Sequence, residues 1–261
     1  NEVPEARLAR ETRQRVLAAA ERLKYRLAQR NPPNPSAIDA TTIGFVVDEI
    51  STDPWMALAL DGARERAWAS GLTISVAVTR GNAEMERVMM EKMLAQPLLG
   101  LIYGKIHTVE IEPHKALNAK PTVLLNGYLA DRSLPSVVPA EVAGGRTATE
   151  RLIRAGHRRI AFINGEPWMD ASRDRLKGYR QSLAAADLPF DPDLVRAGNW
   201  EPPSGYEFTR ELMALGNPPT AFFCANDLMA VGGYAALREL GLAVPGDIAV
   251  VGYDARETAR D

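Results

Sequence analysis

The sequence predicts an α/β fold of two lobes, each a parallel sheet covered by helices, preceded by a separate basic helix. Three observations predict it. From Thr42 onward, short apolar runs alternate with helix-forming stretches, and the runs are apolar at successive positions. Strands buried on both faces and separated by helices read as a parallel sheet clad on both sides. The same order of elements occurs on either side of a break at Ser133–Ala140, with IGFVVD and IAFING in corresponding places. Finally, 261 residues exceed one ordinary domain of roughly 150.

The elements follow in order. Val16, Ala20, Leu23 and Leu27 recur at helical spacing through Thr12–Leu27, with Arg13, Arg15, Arg22 and Lys24 among them, so this stretch predicts an amphipathic basic helix. Residues 1–40 hold eight basic and five acidic side chains, a local charge of +3 in a chain whose formal charge is −2. Pro32, Pro33 and Pro35 then forbid a continuous helix, and the segment reads as a linker. The first lobe follows as IGFVVD, a helix near Met56–Ser70, LTISVAV, a helix near Ala83–Ala95, LLGLIYG and PTVLLNG. The second begins with a helix near Gly144–Ala155, then RIAFING, a helix near Ser172–Ala185 and a short strand around Val195–Trp200. A helix near Gly205–Leu215, TAFFCAN, a helix near Asp227–Leu240 and IAVVGYD complete it.

Composition narrows the function classes. With 46% hydrophobic and 25% charged residues the chain has the make-up of a globular protein. No apolar run reaches the roughly 18 residues of a membrane span and no signal peptide is visible, so a cytoplasmic protein is expected. The single Cys224 and three histidines suit neither an internal disulfide nor a closed zinc site, so no metal and no cofactor is expected. There is no GxxxxGK[ST] loop, GxGxxG, HExxH or GxSxG. Binding rather than catalysis is expected, with no catalytic residues.

In open parallel sheets ligands lie beyond the carboxyl ends of the strands, which directs attention to Asp48, Glu49, Asn126, Asn164, Asn226, Asp227 and Asp254. Asp227 is read as a helix N-cap, and Asn226, one residue earlier, as an amide facing a ligand hydroxyl. Arg175 lies near the start of a helix, where the dipole disfavours a cation. With Arg173 it is either a surface charge or a donor fork for vicinal hydroxyls, a carboxylate or a phosphate. Trp55 and Trp200, in strand-to-helix connections, either stack on a sugar or base or pack as lids on their own lobes. His157 reads as structural, and His107 and His114 fall in a loop region without an assigned role.

ETRQRVLAAAERLKY, TIGFVVDEISTDPW, GHRRIAFING, RLKGYRQSL, PPTAFFCANDLMAVGGYAALRELGL and VPGDIAVVGYD, in this order and spacing, resemble the lactose-repressor (LacI/GalR) family of bacterial transcription regulators. The resemblance implies two Rossmann-like lobes similar to periplasmic sugar-binding proteins, a homodimer, and a helix-turn-helix headpiece that binds palindromic operator DNA. It divides the chain into a headpiece remnant at 1–30, a hinge at 31–41, an N-terminal effector-binding lobe at 42–139 and a C-terminal lobe, incomplete, at 140–261. It places effector contacts on Asp48, Trp55, Asn126, Arg175, Trp200, Asn226 and Asp254, and phosphate-backbone contacts on Arg13 and Arg15. A mono- or oligosaccharide effector that controls operator affinity is implied, although purines serve some relatives and the same residues suit either. The expected function is therefore a repressor of carbohydrate uptake or breakdown genes. The alternative is a sugar-binding protein of a transport system, for which the basic segment has no use. Two departures stand out: the helix-turn-helix proper and the C-terminal strands are missing from the chain, and the hinge stretch YRLAQRNPPNPSAID has three prolines and lacks the family's leucine.

Overall fold

The structure, a computed structural model, describes residues 41–52, 54–112 and 115–256. The basic helix, the hinge, Arg13, Arg15 and His114 lie outside them. In chain order the elements are β1 (Thr42–Val47), α1 (Pro54–Trp68), β2 (Thr73–Val78), α2 (Ala83–Leu94), β3 (Leu98–Glu110), β4 (Thr122–Tyr128) and β5 (Ser136–Val137). There follow α3 (Glu141–Arg154), β6 (Ile160–Asn164), α4 (Asp170–Ala185), β7 (Val195–Ala197), α5 (Pro202–Met213), β8 (Ala221–Cys224), α6 (Asp227–Glu239) and β9 (Ala249–Val251). Two wholly parallel sheets result, ordered β2-β1-β3-β4-β5 and β7-β6-β8-β9.

The apolar runs become strands for the reason the sequence suggests. Successive strand residues point to opposite faces. In β1, Phe45 and Val47 join Met56 of α1 on one side, while Val46 joins Met90 and Met93 of α2 on the other. All three β1 side chains are fully buried, which an antiparallel sheet with a wet face would not require. The second sheet has one core, in which the rings of Phe162 and Phe223 stack at 4.5 Å and Tyr179 of α4 donates to the Ile160 carbonyl at 2.8 Å.

Three boundaries differ from the sequence reading. His107 is in a strand and not a loop, because β4 runs on to Tyr128 and β3 resumes pairing there, Val109 with Gly127 and Glu110 with Tyr128. The break before the second lobe contains β5, which adds Ser136 and Val137 to the edge of β4. The strand expected as far as Trp200 ends at Ala197, where Gly198 turns its N–H onto the Asn164 carbonyl at 2.7 Å and Trp200 takes a positive φ of 66°. Among the described residues no helix is long and apolar enough to cross a membrane.

One contact positions the site. Helices α3 and α4 cross at Gly145 and Gly178, where an added Cβ would overlap backbone atoms of Arg175 and Val142 respectively. The backbones therefore approach closely, and the first turn of α3 comes against Arg175. Gly178→Ala is expected to destabilise the protein by about 1–3 kcal/mol through overpacking. Gly62→Ala on α1, where an added Cβ meets nothing within 4 Å, should be neutral or stabilise by up to about 1 kcal/mol. Urea unfolding of both variants tests this, and equal effects would contradict it.

Candidate functional site

At the carboxyl end of the second sheet the centre is Arg175, only 7% exposed. It is no surface charge, unlike Arg173, which stays exposed and pairs with Asp170. Its Nε and Nη2 donate to the two oxygens of Glu141 at 2.7 and 2.9 Å, and Nη1 donates to the Ala225 carbonyl. The Tyr253 hydroxyl donates to the same Glu141 carboxylate at 2.9 Å, and its ring lies 3.7 Å from the guanidinium carbon, with the Trp200 ring at 5.4 Å. Because α4 starts at Asp170, Arg175 lies in its second turn, past the first turn where the helix dipole acts, and a buried carboxylate from the preceding helix α3 neutralises it. Burial, with Glu141 alongside, pushes the Tyr253 phenol up to about 12.

Asn226, and not Asp227 as the sequence suggests, caps α6: its Oδ1 accepts from the Met229 N–H at 2.8 Å. Its Nδ2 donates to the Trp200 carbonyl at 2.8 Å, so the amide holds the loop that carries the tryptophan. Asp227 is the first helical residue and accepts from the Arg256 N–H at 2.7 Å. The cap belongs to Asn226 because its extended backbone, φ −144° and ψ 170°, turns the side chain back over the free N–H groups. Trp200 packs over Gly165, where a Cβ would strike its ring, and its indole N–H meets the Met169 sulfur at 3.0 Å. Beside it, Asn164 Oδ1 and Ser172 Oγ are buried with no hydrogen-bond partner among the described residues. Asp254 has a φ of 100° and an ion-pair distance of 3.8 Å to Arg256. Burial raises its carboxyl to about 6, against the pull of Arg175 and Arg256.

The first sheet makes a second set. Asp48, after β1, accepts from the Ile106 N–H at 2.8 Å, and Asn126 in β4 donates to the Ile106 carbonyl at 2.8 Å and accepts from the Thr108 hydroxyl. Both side chains hold the far part of β3 across the strand ends. Trp55 opens α1 and is 38% exposed. Asn126, Trp200 and Asp254 all have positive φ, uncommon for residues other than glycine and a mark of turns that the surrounding structure enforces. The two sheets' residues meet where the Tyr128 hydroxyl donates to Asp170 at 2.8 Å and His107 stands edge-on to Trp168 at 5.9 Å. Glu141 and Tyr253 had no sequence signal: a glutamate in a first turn reads as a response to the helix dipole.

The comparisons fit this geometry. Residues 149–261 match the family model described as a periplasmic binding protein-like domain. The chain is similar to the HTH-type transcriptional repressor PurR of Histophilus somni, 29% identical over 256 residues, covering 95% of this chain and 74% of that protein. A solved complex of the transcriptional regulator CelR with cellobiose is 31% identical, with a TM-score of 0.68, covering 98% of this chain and 77% of that one. This chain belongs to the lactose-repressor (LacI/GalR) family of transcriptional regulators. A sugar-binding regulator of that family from Escherichia coli, solved with phosphate, is 28% identical with a TM-score of 0.70, covering 84% and 80%. These family members are regulators of transcription, which favours that function over transport.

Two outcomes follow for this member of the family. Arg175→Ala leaves Glu141 buried and unpaired and should cost about 3–5 kcal/mol, whereas Arg175→Met with Glu141→Leu should recover most of it; chemical denaturation of the three proteins checks this. Asp254 has a folded pKa above its ordinary value, so its protonated form favours folding. Its contribution is full below about pH 4 and is lost as pH rises through about 6. Asp254→Asn should be more stable than wild type at pH 7, with the difference vanishing at low pH. A pH series of melting curves would expose the opposite sign.

Proposed function

We propose that this regulator binds a mono- or oligosaccharide effector at Asp48, Trp55, Asn126, Arg175, Trp200, Asn226 and Asp254, and that binding changes its affinity for operator DNA. The reading divides the chain into a headpiece remnant at 1–30, a hinge at 31–41, and effector-binding lobes at 42–139 and 140–261. It works as a cytoplasmic homodimer that binds its effector without turning it over. The observation that carries this is the buried Arg175 fork between Trp200 and Tyr253, with Asp254 nearby, at the carboxyl ends of parallel strands. A guanidinium with spare donors, a carboxylate acceptor and an indole face are the groups that recognise adjacent hydroxyls and an apolar sugar face. The cellobiose bound by one relative supports the same class.

An effector that shifts operator affinity does so through a coupling free energy, so operator DNA must shift effector affinity by the same factor. The test is calorimetric titration of the intact protein with a panel of mono- and disaccharides and purine bases. A saccharide is expected to bind stoichiometrically and unchanged, and Trp200→Ala should weaken it by roughly tenfold or more, the effect of losing a stacking face. Binding of a purine alone, or an unaffected Trp200→Ala, would sink the sugar reading.

A further inference from the structure

Relatives differ in the charge of what they were solved with, cellobiose in one and phosphate in another, so membership of the family leaves the effector's charge open. The surroundings of Arg175 bear on it. A guanidinium has five N–H donors, and the protein itself engages three of them, two on Glu141 and one on the Ala225 carbonyl. One hydrogen on each terminal nitrogen is left for a ligand. The positive charge is already matched: Glu141, 6% exposed, holds the fork bidentately and is fixed in turn by the Tyr253 hydroxyl. Two more carboxylates stand close by, Asp254 and the buried Asp227, against one further cation, Arg256. Among the described residues, three carboxylates thus face two guanidiniums.

We propose that Glu141 sets the charge class of the effector: by neutralising Arg175 it makes the site accept uncharged polyhydroxylated ligands and reject phosphate esters and carboxylates. This rests on reading these residues as the effector site. A sugar hydroxyl accepts from a free guanidinium hydrogen and donates its own proton to a carboxylate, so neutral ligands use both kinds of group. A phosphate at the same two hydrogens offers fewer donors than a sugar and adds further negative charge beside Glu141, Asp254 and Asp227, in surroundings that screen poorly. Glu141 touches no strand-end ligand group other than Arg175 and Tyr253 in the contacts described, so it acts as a positioning and specificity residue.

The experiment is calorimetry on the intact wild type and on Glu141→Gln, each titrated with inorganic phosphate, with the sugar panel, and with a sugar alongside its phosphate ester. Wild type is expected to bind a neutral sugar with little dependence on sodium chloride and to show no phosphate binding at millimolar concentration. Glu141→Gln should gain phosphate affinity by roughly tenfold or more, as removal of an adjacent like charge implies, while Glu141→Asp should still reject it. Wild type that binds phosphate or the phosphate ester as tightly as the sugar overturns the proposal, as does a cooperatively folded Glu141→Gln with no gain. Should that variant fail to fold, the wild-type arms decide, since a steep fall of affinity with salt would reveal an anionic ligand. If no sugar binds yet Glu141→Gln acquires phosphate, the sugar reading falls and the charge rule stands. If a sugar binds and phosphate stays excluded from Glu141→Gln, the charge rule falls and the sugar reading stands.

Discussion

The Glu141–Arg175 ion pair joins more of the second sheet's surroundings than any other polar contact described. It ties the start of α3 to α4, reaches the end of β8 through the Ala225 carbonyl, and reaches the turn after β9 through Tyr253. Burying two charges is costly unless each is paired and hydrogen-bonded, and here the carboxylate accepts three bonds while the guanidinium is stacked on one face. That arrangement needs the glycine contact between α3 and α4, because larger residues at 145 and 178 would hold the helices apart.

Within β4 of the first sheet, and after β7 and β9 of the second, the backbone bends sharply. Asn126, Trp200 and Asp254 occupy the left-handed side of conformational space without being glycine. Each is held by a partner that makes the bend worth its strain: the Ile106 carbonyl for Asn126, Asn226 for the Trp200 carbonyl, and the burial beside Arg256 for Asp254. The polar side chains at the strand ends therefore have two tasks. They shape the loops first, and only the groups left over, such as the two guanidinium hydrogens not used by Glu141 and Ala225, remain for a ligand. The bend at Trp200 lies beside the side-chain oxygens of Asn164 and Ser172, which are without a partner among the described residues, as costs gathered at a binding site would be.

Much of this was legible in the chain itself. Apolar runs such as IGFVVD and TAFFCAN became central parallel strands, since no half-wet sheet accommodates them. Helix positions fell within a few residues of expectation, and the early starts of α1 and α5 reflect proline in the first turn, which a helix tolerates there. The error at Asn226 and Asp227 arose because both residue types cap helices well, and the choice between them depends on which one leaves the strand in an extended conformation. The sequence misplaces His107 because β3 loses its regular register with β4 after Gly104 and resumes pairing at Val109, a long-range contact that no local pattern announces.

Local periodicity and composition were enough to determine two parallel-sheet units, the order of their elements and the strand ends where polar residues gather, because the burial that shapes them repeats over short stretches of chain. The tertiary structure alone decided which of those polar residues are already engaged. Glu141 lies 34 positions from Arg175, and Tyr253 lies 112 from Glu141. Nothing local marks such partners. A charge is neutralised by whatever the fold brings within hydrogen-bond distance, and that distance is set by the close packing of two helices at a pair of glycines.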